Sequence, residues 1–95
     1  MANKEDWTQQ VGSYFTTQTG HVLKLASVQS FRERGARRPG GLRSGAFVAR
    51  FDIMSGGLMQ AEQLVTVNHK IGGAFDMFLT GGNPARPLRM LAVFN

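Results

Sequence analysis

Ala46-Phe47-Val48-Ala49-Arg50-Phe51-Asp52-Ile53-Met54 is the stretch that decides the fold. Phe47, Ala49, Phe51 and Ile53 alternate with Val48, Arg50 and Asp52. A period of two puts successive side chains on opposite faces of a strand. The first set is therefore expected to face a core, with Arg50 and Asp52 turned to solvent.

Working outward, four glycine doublets punctuate the chain: Gly40-Gly41, Gly56-Gly57, Gly72-Gly73 and Gly81-Gly82. Such doublets mark turns, because glycine accepts the positive φ that turns require. Residues 21–31 read as a strand with Leu23 and Leu25 on one face and Ala26 and Val28 on the other. That change of phase calls for a bulge or for burial on both sides. Residues 58–71 begin with helix formers and end strand-like, which gives a strand centred on Val65 with a short helical or irregular lead-in. Residues 74–80 and 88–94 supply two more strands, and Pro84 and Pro87 stiffen the connection between them. Ahead of all these, Asn3 is placed to cap a short helix carrying Trp7, Val11 and Tyr14 on one face, ending before Thr16. The reading is mainly β, with five strands in a small barrel or twisted antiparallel sheet and a short N-terminal helix.

A chain of 95 residues with 42% hydrophobic content makes one domain, residues 1–95, with a modest core. It contains no cysteine, so neither a disulfide framework nor a thiolate metal site is open to it. The first six residues are polar with mixed charge and do not read as a secretory signal. No apolar stretch approaches the ~20 residues that span a bilayer. The expectation is a cytoplasmic protein with no membrane partner.

Charge is distributed unevenly. Residues 1–31 balance Lys4 and Lys24 against Glu5 and Asp6, and residues 51–95 balance three cations against three carboxylates. Between them Arg32, Arg34, Arg37, Arg38, Arg43 and Arg50 face only Glu33, which accounts for the whole net charge of +5. A focused excess makes a local positive field. Arginine's planar fork also binds phosphate through two donors and stacks on bases, which lysine does less well. Residues 32–44 thus form a basic flexible loop suited to a polyanion.

No catalytic constellation accompanies it. His21 and His69 sit at strand ends without a carboxylate or second histidine at ligand spacing, and read as surface or capping imidazoles. Asp52 and Asp76 are better explained by ion pairs to Arg50 or Arg89 than as an acid/base pair. Neither a G-x-S-x-G elbow nor a G-x-x-x-x-G-K-[ST] phosphate loop is present. A non-catalytic protein without cofactor or metal is expected. Among the nine aromatics, Phe47, Phe51 and Phe94 lie on apolar faces and belong to the core. Phe75 and Phe78 must face opposite sides of a strand, which leaves Phe78 as a candidate for stacking on a base, together with Trp7, Tyr14 and Phe31.

The run His21-Val-Leu-Lys-Leu-Ala-Ser-Val-Gln-Ser-Phe31, the glycine- and arginine-rich loop after it, and residues 46–54 resemble small OB-fold single-stranded DNA-binding proteins of phages and mobile elements. The resemblance covers residues 14–80 at the level of pattern. It implies an OB-like barrel in which a basic connection between the first two strands borders the nucleic-acid face. Arg32, Arg34, Arg37, Arg38 and Arg43 would then track phosphates, with Arg50 at the base of the loop. A small sheet leaves edges exposed, and residues 88–94 are the candidate edge for a homodimer. The rival expectation is a small protein–protein inhibitor docked on an acidic surface of a host enzyme or nucleoprotein complex.

Overall fold

A computed structural model describes residues 3–30, 45–70, 73–81 and 83–94. A short helix, α1 (Lys4–Thr8), precedes six strands: β1 (Tyr14–Thr17), β2 (Val22–Ser30), β3 (Phe47–Ser55), β4 (Glu62–His69), β5 (Gly73–Thr80) and β6 (Arg89–Phe94). They close into a barrel in the order β1-β2-β3-β6-β5-β4, with every pairing antiparallel. The expected small barrel with an N-terminal helix is what the chain forms, with one strand more than the sequence suggested. The added strand is β1, whose four residues are too few to show a period by themselves.

β3 follows its alternation from Ala49 onward, while Val48, expected on the outer set, is buried as well. Phe47, Ala49, Phe51 and Ile53 are buried in the core, while Arg50 and Asp52 remain partly exposed. In β2 the change of phase is absorbed by a register shift between Leu25 and Ser27. It returns Val28 to the inside, where it packs against the core beside Leu23 and Leu25. β5 separates its two phenylalanines as the spacing required: Phe75 packs inward and Phe78 stays 52% exposed.

α1 is shorter than expected and does a different job. Asn3 caps it, its side-chain oxygen accepting from the Asp6 amide at 2.9 Å. Glu5 and Asp6 occupy the first turn, where the helix dipole favours negative charge. The helix ends at Thr8, so Val11 is exposed and Tyr14 belongs to β1; the three residues share no helical face. Gly12, at φ +94°, turns the chain so that its amide donates to the Leu25 carbonyl at 2.7 Å and the chain enters the barrel.

Trp7 is the largest correction. Expected among the stacking residues, it is 1% exposed and lies at the centre of the core. Its ring stacks on Phe15 of β1 at 5.6 Å between centroids and meets Phe51 of β3 edge-on at 6.1 Å. It also contacts Phe75 of β5 at 5.7 Å and Phe94 of β6 at 4.7 Å. The last two contacts have a structural purpose. Among the described residues β5 and β6 share one registered pair, Thr80 with Leu91, and beyond it the indole meets a ring from the inner face of each strand.

β6 therefore lies between β3 and β5 and is not an edge strand. The edge expected for a homodimer through residues 88–94 is paired with β3 along its length and with β5 at Leu91, since barrel closure takes up most free edges.

The histidines are corrected too. Both are buried rather than superficial. His69 points inward from β4 and stacks on Phe15 at 4.3 Å. His21 lies under Gly56, where an added Cβ would come within 2.9 Å of the His21 Cα. Its Nδ1 is 2.7 Å from the Thr19 hydroxyl. Short polar turns hid this burial from sequence reading.

Two outcomes are expected. Trp7→Ala should remove about 3–5 kcal/mol of unfolding free energy, a large share of the roughly 5–15 kcal/mol available to such a domain. Tyr14→Ala, on the outside, should cost far less; chemical denaturation compares the two. Burial also lowers the His69 pKa below its ordinary 6.5. The unfolded chain then takes up a proton that the folded state resists, so stability is complete above that pH and declines as pH falls through it. His69→Phe, which retains the ring stack, should flatten this acid-side loss of melting temperature.

Candidate functional site

The register assembles a charged face from residues far apart in sequence. Lys24 of β2 pairs with Asp52 of β3, and Asp52 in turn pairs with Arg89 of β6. Arg50 lies two residues along β3 on the same outer face, its Nε 4.0 Å from Asp52 Oδ1. Arg86 joins them from the turn before β6, lining a cleft with Arg50, Asp52 and Arg89. Four cations here meet one carboxylate, an excess of three positive charges.

The other carboxylates of the described residues lie elsewhere. Glu5 and Asp6 are on α1, Glu62 on β4 and Asp76 on β5. Asp76 accepts a hydrogen bond from Thr66 Oγ1 at 2.7 Å. The described residues are close to neutral in total. They have a surplus of cations where β2, β3 and β6 adjoin and a slight surplus of carboxylates over Lys4 and Lys70 around α1, β4 and β5. Asp52 and Asp76 do not meet, because β6 lies between their strands. Among the described residues no group of three or more His, Asp or Glu is placed to hold a metal ion. No helix among them is long and apolar enough to cross a membrane.

Of the residues the sequence nominated, Arg50, Trp7, Tyr14 and Phe78 can be located. Phe31, Arg32, Arg34, Arg37, Arg38 and Arg43 lie outside the described residues. The segment that carries them connects β2 to β3 in the chain. Its two ends are fixed by the pairing of Ser30 with Phe47. From there the outer positions of β3 run through Arg50 to Asp52, a strip about 17 Å long at the usual rise per residue.

Two exposed aromatics flank this strip. Tyr14, 56% exposed, pairs with Lys24 from β1. Phe78, 52% exposed, stands on β5 beside β6. They are not one platform. One way round, the path crosses β2, β3 and β6, about 19 Å at the normal strand spacing. The other way it crosses β4, where Phe78 faces Leu64 and Tyr14 lies beyond the pair of Thr16 with Asn68, so each could stack only on a different base. Phe78 also pairs with Leu64, 62% exposed, and the register of Thr80 with Leu91 carries that row toward Val93, 50% exposed. Lys24, Arg86 and Arg89 were passed over in the sequence because each lies in a segment of zero net charge. Outward alternation along the strands was the signal available, and it needed the register to become a patch.

No family model matches the chain, and neither a curated protein nor a solved structure matches it.

If Asp52 tempers the field of this face, Asp52→Asn should elute later from a heparin column than the native protein. Asp76→Asn makes the same change in net charge on β5, away from this cleft, and should move elution less. Equal shifts would mean that the charges act only through their total. The ion pair is partly exposed, so the expected loss of stability is below about 1 kcal/mol.

Proposed function

We propose that the protein is a non-catalytic binder of single-stranded nucleic acid, holding the phosphates on arginines and the bases on exposed aromatic rings. The observation that supports this best is the cationic face of β2, β3 and β6, from which the arginine-rich connection springs. Two sources of positive charge support it, one concentrated in the sequence between β2 and β3 and one assembled by folding on β2, β3 and β6. Phosphate contacts of this kind release counterions and make binding salt-dependent. Tyr14 and Phe78 supply stacking on either flank, in keeping with strand binding that does not depend on sequence.

The exposed row of Leu64, Phe78 and Val93 favours a second reading. An apolar strip beside a cationic face also suits docking on an acidic protein surface, as a small inhibitor would do.

Fluorescence anisotropy with labelled single-stranded DNA, single-stranded RNA and duplex, each at two salt concentrations, separates these readings. Micromolar single-strand binding is expected at low salt. Changing Arg32, Arg34, Arg37, Arg38 and Arg43 to alanine should weaken it and flatten the salt slope by about 0.7 for each phosphate that an arginine no longer neutralises. Phe78→Ala and Tyr14→Ala should each cost about 1–3 kcal/mol if the rings stack. Absence of binding at low salt would reject the proposal. Stoichiometric recovery of a protein from nuclease-treated lysate, abolished in a Leu64→Ser/Phe78→Ser variant, would support the second reading.

A further inference from the structure

Two clefts on the flank of the barrel share a wall. One, of about 330 Å³, is lined by Arg50, Asp52, Arg86 and Arg89. The other, of about 340 Å³, opens between Leu58, Met59, Pro84 and Met90. Arg86, Pro87 and Arg89 border both. A cationic hollow and a largely apolar one therefore stand side by side.

The cationic hollow is held in shape by the backbone. The Arg86 amide donates to the Asn83 carbonyl at 2.9 Å, and the Arg89 amide to the Arg86 carbonyl at 3.1 Å. Asn83 Oδ1 accepts from the Ala85 amide at 3.0 Å. The Ile53 amide then ties the segment to β3 through the Leu88 carbonyl at 2.8 Å. These turns fix Arg86 in position opposite the two strand arginines.

Inside it, donors outnumber acceptors. Arg50 Nε and Arg89 Nε are both shielded from solvent and make no hydrogen bond among the described residues. Asp52 does not answer Arg50, since 4.0 Å is an ion-pair distance and too long for a hydrogen bond. Desolvated donors without a protein acceptor are unusual, and water or a ligand that brings oxygens satisfies them. Three guanidinium groups against one carboxylate leave two uncompensated positive charges, close to the charge of a phosphate monoester at neutral pH. The neighbouring apolar hollow offers the polarizable thioether of Met59 and the ring of Pro84, with the buried Met90 beneath, an apolar surface suited to a planar heterocycle.

We propose that the joined clefts form a seat for one nucleotide, with its phosphoryl group on Arg50, Arg86 and Arg89 and its base against Met59 and Pro84. The class of ligand rests on the nucleic-acid reading above; the seat itself rests on the clefts. A free nucleoside monophosphate and the phosphorylated end of a strand present the same chemistry.

The test is an amide-resolved NMR titration of the full chain with inorganic phosphate, a nucleoside 5′-monophosphate, and oligothymidylate with and without a 5′-phosphate. The monophosphate should shift the amides of Arg86 and Arg89 together with Met59 and Ala61, and bind about ten-fold tighter than inorganic phosphate. Arg86→Ala, at an exposed position, should weaken it by about ten-fold or more with the melting temperature unchanged. Arg50→Gln provides a second variant on a different element. Preference for the 5′-phosphorylated strand identifies a strand end as the source. Binding of the monophosphate without any strand binding would keep the seat and reject the nucleic-acid function. Strand binding that disappears with the five loop arginines but is indifferent to Arg86→Ala and Arg50→Gln, with no shifts from the monophosphate, would reject the seat and keep that function. Equal affinity for phosphate and monophosphate, with shifts only around Arg86 and Arg89, would overturn the nucleotide assignment.

Discussion

The barrel depends on one side chain, the indole of Trp7, set between strands that do not fully pair. Among the described residues β5 and β6 hold to one another through a single registered pair, while every other seam of the barrel has at least two. Inside stands Trp7, whose ring reaches Phe75 and Phe94 on the two sides of the seam and Phe15 and Phe51 behind it. Ring pairs at such distances contribute about 0.5–1.5 kcal/mol each beyond the area they bury. The five-residue helix is best understood as the carrier of this residue. An isolated helix so short has no stability of its own. It persists because Asn3 caps it and Trp7 anchors it.

Closure also sorts the surface. Once the strands are in register, every second residue is committed to the outside and its cross-strand neighbours are set. Lys24, Asp52 and Arg89 become a row, with Arg50 and Arg86 beside them. A single carboxylate cannot neutralise four cations, and such a surplus is tolerated only because the side chains keep partial contact with water. The result is a local cationic face on a barrel whose described residues are almost neutral in total.

Much of the fold was legible because β3, from Ala49 onward, and β5 alternate cleanly and are bounded by glycine doublets. The phase break in residues 21–31 even announced the register shift near Ala26. β1 was illegible because four residues carry no usable period, and its burial pattern has meaning only against β2 and β4. Trp7 was misplaced for a related reason. At the end of a short helix, sequence spacing cannot say whether a large ring faces solvent or fills a gap between distant strands. His21 and His69 followed the same rule, polar in composition but enclosed by Gly56 and Phe15.

The sequence by itself determined the β class, the inward set on β3, the opposite fates of Phe75 and Phe78, and the concentration of arginine in residues 32–50. These are local properties, set by period and count along the chain. Only the tertiary structure decided which strand closes on which, that Trp7 belongs inside, and that Lys24, Arg50, Arg86 and Arg89 share a face. The physical reason is that these depend on register between segments up to 65 residues apart, Lys24 and Arg89 among them. Register is fixed by burial of the whole inner face at once, and no local stretch of sequence contains it.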